Sequence, residues 1–384
     1  MRPGLHALLA VLLGGCGARS GLADDDDDIV GHDAGLPDAA DGLDADVPDA
    51  AQPLGCDGRP LPHPGVAVDV PIPPRMYGLS VLIPSPLGVL VVGGQPALGE
   101  DATQMVFLDL STRAAQELPV EGDDVRLPGG TGVAVYVPDD DSVVVIGGSG
   151  AAGVPTDQVF SFNGEGDPSG LRQVRAHLLP DFPGGPVQGL GAVWDPAHHR
   201  VIVHGGRGLP DEPSDTRTTW ALELGDDPGW HELVAATDSP PPGTRAMGYD
   251  PVRSRAIEIT DDDDGAGLAV FALSLDDAAE TWTRLGEIDF SPSTSGELLW
   301  DDASCGFHLL SARRTRCTLE HWILVVDGES ATAVFRGEPL LDPTHFLASA
   351  LFVAARSELV LTASQDCAAE GTPNVVAAEL ALER

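Results

Sequence analysis

Three times in this chain a short apolar run, rich in β-branched residues, ends at a glycine pair: VLVVGG at Gly93–Gly94, VVVIGG at Gly147–Gly148 and VIVHGG at Gly205–Gly206. Each follows another apolar run across a polar turn, and two further short runs come after it. That order describes a four-stranded antiparallel sheet. A strand apolar at nearly every position is covered on both faces, whereas a half-exposed strand alternates. Related units recur at intervals of about 50 residues, so the covering layers are other copies of the unit and the architecture is a repeat.

The first unit places strands at Gly78–Pro84, Val89–Gly93, Gln104–Leu110 and Ala114–Leu118. The second places them at Thr131–Val137, Ser142–Gly147, Asp157–Phe162 and Leu171–Ala176. The third runs from Gly191 to Gly208 and continues through TTWALEL and GWHEL. Later units keep the pattern and lose the glycine pair: the fourth contains AMGYDPVRSRAIEIT, with Asp261–Asp264 and Gly265 where the pair would stand, and the fifth contains SGELLWDDASCGFHLLSA. The sixth has three strands before Arg384, while Val66–Ile72, near the start, has no hairpin partner of its own. That orphan is expected to complete the sixth sheet, closing a ring and removing the open edges of separate sheets.

These features resemble the kelch family of β-propellers over roughly Val66–Arg384. The resemblance rests on the glycine pairs, on the Asp195-Pro196 and Asp250-Pro251 turns, and on Trp220, Trp230, Trp282 and Trp322 in third or fourth strands. It implies an all-β, six-bladed, kelch-like β-propeller closed by an N-terminal strand. A pair of β-sandwiches without ring closure is the competing arrangement.

The first residues read as an export signal: Arg2, then an apolar stretch from Leu5 to Leu13 too short to span a bilayer. It ends in Leu13-Gly14-Gly15-Cys16, which resembles the lipobox of bacterial lipoproteins. That resemblance implies lipidation of Cys16, and Gly17 after it points to the outer membrane or cell surface. Residues 17–56 are rich in Asp, Ala, Gly and Pro without an aromatic side chain, so they cannot bury enough apolar surface to offset ordering entropy and are expected to be a disordered linker. Extended by proline and charge, some forty residues reach on the order of 120 Å. The expected organisation is a signal peptide over 1–16, a linker over 17–56 and a propeller over 57–384, in a monomer that meets the membrane only through its lipid.

All 21 basic residues are arginine, and 60 acidic residues bring the formal charge to -39. Such a field repels nucleic acid and anionic lipid surfaces. Apart from Cys16 there are four cysteines, Cys56, Cys305, Cys317 and Cys367, in a chain expected to be exported, where disulfides persist. Four cysteines allow three connectivities. The expected strand phasing puts Cys305 in a first-to-second-strand turn, and Cys317 and Cys367 by second-to-third-strand loops of neighbouring units. Joining Cys305 to Cys317 would cross a strand length of about 20 Å, beyond disulfide reach. Cys317 with Cys367, and Cys56 with Cys305, are therefore the expected pairs.

The eleven histidines include the adjacent His198 and His199 in a turn, and His204 before a glycine pair at the expected mouth of the ring. No HExxH or Cys/His zinc spacing occurs, so no metal site is expected. The Asp261–Asp264 run has oxygen donors that a Ca²⁺ would take, but a solvated acidic turn is the preferred reading, and no cofactor is expected. Galactose oxidase shares the kelch fold; its copper site uses tyrosines, one linked to a cysteine, and Tyr77, Tyr136 and Tyr249 have no cysteine placed for that link. The candidate ligand face comprises His204, Arg207, Arg245, Asp261, Asp263, Arg313 and Arg314, on loops at one end of the sheets. The expected function is a surface-tethered, non-enzymatic module for a protein or glycan; the alternative is a sugar-acting propeller enzyme of mutarotase or lyase type.

Overall fold

A computed structural model describes most of the chain between residues 59 and 383; the residues outside the description there are 60, 71–78, 95–103, 122–126, 128–130, 150–153, 165–173, 209–216, 236, 245, 263–266, 277–279, 289–295, 314–317, 338–344, 354–355, 357 and 367–375. The expected signal peptide, Cys16 and the linker lie outside the described residues. Every described element of length is a strand.

The first strand, β1, spans His63–Val70. It begins inside the proline-rich entry, where the apolar pattern placed its start at Val66. The register shifts between Pro64 and Ala67, and β1 is an edge strand, where a residue lacking an N–H is tolerated. A first sheet follows from β2 (Leu79–Pro84), β3 (Leu87–Val92), β4 (Gln104–Asp109) and β5 (Ala114–Glu121), and a second from β6 (Val133–Val137), β7 (Ser142–Ile146), β8 (Val159–Gly164) and β9 (Val174–Leu179). A short parallel pairing, Val120 with Val174 and Glu121 with Arg175, joins their outer strands.

The third sheet is β10 (Val187–Asp195), β11 (Arg200–Gly208), β12 (Thr219–Glu223) and β13 (Gly229–Val234). The fourth is β14 (Ala246–Asp250), β15 (Arg255–Asp261), β16 (Leu268–Ser274) and β17 (Trp282–Ile288). The run read from sequence as one strand, SGELLW, divides: β18 (Gly296–Glu297) pairs in parallel with β14, and β19 (Leu299–Asp301) opens the fifth sheet. Between them the Leu298 N–H donates to the Met247 carbonyl at 2.8 Å, so the chain crosses from one sheet to the next without losing its backbone bonds. The fifth sheet continues with β20 (Gly306–Arg313), β21 (Thr318–Asp327) and β22 (Ser330–Gly337). The last contains β23 (His345–Val353), β24 (Glu358–Asp366) and β25 (Val376–Glu383), with β1 antiparallel to β25 from His63 opposite Glu383 to Val70 opposite Ala377.

Second strands are buried where their side chains are described, β7 at every residue and β3, β11 and β15 nearly so. Fourth strands are less covered: β5 is largely exposed and β13 mostly half-buried. The cause is face-to-face stacking. Val81, Leu90 and Met105 of the first sheet share a cluster with Val143, Val145 and Phe160 of the second; Val144 and Ile146 meet Leu190 and Val203 of the third; Ile202 and Val193 meet Met247 and Ala256 of the fourth; Ile257 and Val270 meet Phe307 and Leu324 of the fifth. Val89 and Leu108 of the first sheet pack on Leu351 and Val360 of the last. First strands also touch in succession: β2 with β6, β6 with β10, β10 with β14, β14 with β19, β19 with β23, and β23 with β2.

Away from the glycine pairs, one turn recurs. Asp195, Asp250 and Asp301 each end a first strand, almost wholly buried, and accept the N–H two residues on, at 3.0–3.1 Å. This Asx-turn leaves the last turn residue, His199, Ser254 or Cys305, at positive φ. The second carboxylate oxygen takes Arg200 Nε or Arg255 Nε at 2.9 Å, or the Ser304 hydroxyl. The same guanidinium groups reach the next sheet: Arg200 to Glu280, and Arg255 to the Gly328 carbonyl at 2.7 Å. Arg336 of β22 donates to the Leu61 and Pro62 carbonyls ahead of β1, and Arg356 to the Leu110 carbonyl of the first sheet at 2.9 Å. Burying these arginines is tolerable because Nε or a terminal nitrogen of each finds an acceptor, although Arg255 Nη2 is left without one.

Candidate ligand-binding rim

The glycine pairs mark the end of the sheets at which second strands finish and first strands begin. Gly205 and Gly206 have φ of +76° and +87°, and a Cβ on Gly205 would stand 1.7 Å from Thr244 Oγ1. Glycine is there because the segment before the fourth sheet passes directly against it.

That close approach completes a sealed polar joint between the third and fourth sheets. His204 of β11 and Glu258 of β15 are both fully buried. The His204 Nδ1 lies 2.9 Å from Oε1 and 2.8 Å from Oε2 of Glu258, while Nε2 lies 3.2 Å from the Arg217 carbonyl. Thr244 Oγ1 donates to Glu258 Oε1 at 2.7 Å. Trp282, its ring 5.5 Å from the imidazole, donates from Nε1 to Thr219 Oγ1 at 2.9 Å. His204, read from sequence as facing a ligand, thus stands inside the protein, fastening two sheets. Sequence reasoning passed over Glu258, although a lone carboxylate in the apolar run AIEIT was a signal that it needed a buried partner.

Exposed polar groups lie around this joint. Thr131, ahead of β6, is exposed and has φ of +60°. Its carbonyl accepts the Gly189 N–H at 2.5 Å, and its hydroxyl is 3.3 Å from Ser149 Oγ and 3.4 Å from Gln188 Oε1. Gln188 is the cross-strand partner of Arg207, whose side chain is 58% exposed and 3.6 Å from Asp261 Oδ2. Asp262 follows, bridged to Arg284, which also reaches Glu287 at 2.8 Å. Hydroxyl, amide, guanidinium and carboxylate groups therefore follow one another from the second sheet to the fourth. Of the other residues expected on this face, Arg313 ends β20, and Arg245, Asp263 and Arg314 lie outside the described residues.

Four other described histidines serve other contacts. His198 Nδ1 is 2.8 Å from Asp195, and His199 Nδ1 is 3.2 Å from Asp139 of the second sheet's turn, both at the opposite end. In the fifth sheet His308 and His321, buried, meet through Nδ1 and Nε2 at 2.9 Å, and His308 Nε2 is 3.7 Å from Asp301. Burial pushes the Asp301 carboxyl up, but the attraction of the His308 imidazole, the Ser304 hydroxyl and the Ala303 N–H outweighs it and brings the pKa down to about 2. Among the described residues no three His, Cys, Asp or Glu side chains converge as metal ligands would. Cys305 is disulfide-bonded, its partner lying outside the described residues, as do Cys56, Cys317 and Cys367.

No protein-family model matches the chain, and no curated protein does. Among solved structures, a glucose dehydrogenase is similar with a TM-score of 0.53 at 11% identity, covering 82% of this chain and 98% of that one. YjhT aligns at 0.48 and 13% identity over 68% of this chain and 84% of its own. An alpha-L-arabinanase of Penicillium chrysogenum, in complex with arabinobiose, aligns at 0.47 and 13% identity, over 84% and 98% respectively. At such identities the likeness concerns fold alone. With the stacked four-stranded sheets described above, it makes this chain an all-β protein of the β-propeller class.

Proposed function

We propose that the chain is a six-bladed, kelch-type propeller held at the cell surface through Cys16 and a long acidic tether, and that it binds a protein or glycan on the rim at its glycine-pair end without catalysing a reaction. Six antiparallel units, first strands that touch in a full cycle, and β1 beside β25 support the ring. The tether reading rests on Leu13-Gly14-Gly15-Cys16 and the composition of residues 17–56. One observation carries the binding reading: the groups open to solvent on the rim are hydrogen-bonding ones, Thr131, Gln188, Arg207 and Asp261, while the acid–base pair between them, His204 and Glu258, is sealed. A sugar-acting enzyme of mutarotase or lyase type would need such a pair open to its substrate. Binding of the purified mature protein to a glycan array and to candidate surface proteins, alongside a sugar-turnover assay, tests this. Turnover without stable binding would reverse the ranking.

A further inference from the structure

Resting on that binding reading, we propose that the ligand is a neutral, hydroxyl-rich saccharide, seated on Thr131, Ser149, Gln188 and Gly189 between the second and third sheets, with Arg207 at its border. The first observation is conformational. A β-branched residue at φ of +60° is an outlier for its type, and such strain persists where the surroundings impose it, often at ligand clamps. Here the Gly189 N–H holds the Thr131 carbonyl, and the hydroxyl is kept beside Ser149 and Gln188.

The second is chemical. At 3.3 and 3.4 Å the Thr131 contacts are long, so a sugar hydroxyl, which both donates and accepts, would exchange into them at little loss. Above Gly189, where a Cβ would meet nothing within 4 Å, there is room for it. Val154 is 53% exposed, and its neighbour Pro155 is bridged to Ser149; this offers an apolar contact for the C–H face of a sugar ring.

Charge selects among saccharides. Arg207 is balanced by Asp261, and the protein's net charge of -39 repels polyanions, which leaves neutral sugars favoured. A protein ligand would call for exposed aromatic or arginine anchors in a desolvated centre. The exposed large apolar residues described are Val154, Leu178, Val252 and Phe335, of which only Val154 borders these groups.

The test is titration calorimetry of the mature protein with hits from an array of neutral oligosaccharides, on the parent, Gln188→Ala and Thr131→Gly. Both variants should lose at least tenfold in affinity. Thr131→Gly should nonetheless melt at a higher temperature, because glycine takes the left-handed conformation without strain, and Gln188→Ala should melt as the parent does. A saccharide bound equally by parent and variants overturns this site and leaves the binding reading standing. A purified protein partner weakened by Arg207→Ala, with no sugar bound, overturns the ligand class alone; no binding of either kind overturns both.

Discussion

Replacing Gly205 by alanine puts the joint between the third and fourth sheets under direct test. The added Cβ falls 1.7 Å from Thr244 Oγ1, 2.8 Å from Thr244 Cβ and 3.2 Å from the Thr244 backbone nitrogen, so threonine must move and not merely rotate. At φ of +76° the alanine is itself strained by about 1–2 kcal/mol. Moving Thr244 withdraws the hydroxyl at 2.7 Å from Glu258, a carboxylate with no exposure to water, and loss of one partner of such a group costs about 1–3 kcal/mol. Together the substitution should destabilise the protein by about 2–5 kcal/mol, read as a lower midpoint in urea at unchanged slope. In a Thr244→Ala background the second contribution is already lost while the contacts at 2.8 and 3.2 Å remain, so the same change should cost less by about 1–3 kcal/mol. Gly229→Ala, whose Cβ would meet nothing within 4 Å, serves as the control and should stay within about 0.5 kcal/mol of the parent. Equal penalties at Gly205 in both backgrounds would refute the argument that Thr244 and Glu258 are what glycine makes room for.

Three other outcomes follow from the same geometry. Asp301, whose pKa falls from 3.8 to about 2 on folding, contributes stability that is fully present above about pH 4 and lost as the pH drops through 2. The amount is on the order of 2 kcal/mol, so acid unfolding of Asp301→Asn should show a correspondingly shallower dependence in that window; an identical profile would contradict the assignment. Arg336→Met removes the donors to Leu61 and Pro62 and should cost about 2–4 kcal/mol. Amide exchange would accelerate first in β1 and β25, and unchanged exchange there would show that this arginine does not hold the entry strand. Non-reducing peptide mapping should link Cys305 to Cys56, whereas a Cys305–Cys317 link would have to span the eight residues of β20.

Much of the fold was legible because burial on two faces writes itself into composition. VVVIGG and VIVHGG can only be strands enclosed by neighbours, and β7 and β11 are enclosed. The Asp-Pro turns were legible for a local reason: an aspartate that caps its own turn needs no distant partner. Boundaries were less so. The division of SGELLW between β18 and β19 depends on which sheet offers a free backbone edge, and β1 reaches back through Pro64 because β25 accepts it.

The candidate site was legible only in part. Arg207 and Asp261 were expected on one face from their place after second strands, and their side chains stand 3.6 Å apart. His204 was recognised and its burial was not, since its partner Glu258 stands 54 residues on. Thr131, Ser149 and Gln188 carry no mark in the sequence; they come together because the second sheet stacks against the third. Periodicity and turn chemistry, set by near neighbours in the chain, therefore determined the strands, their repetition and their apolar faces. Which polar residues were sealed and which stayed open was decided by tertiary structure, because solvent exposure depends on what the next sheet brings against a side chain.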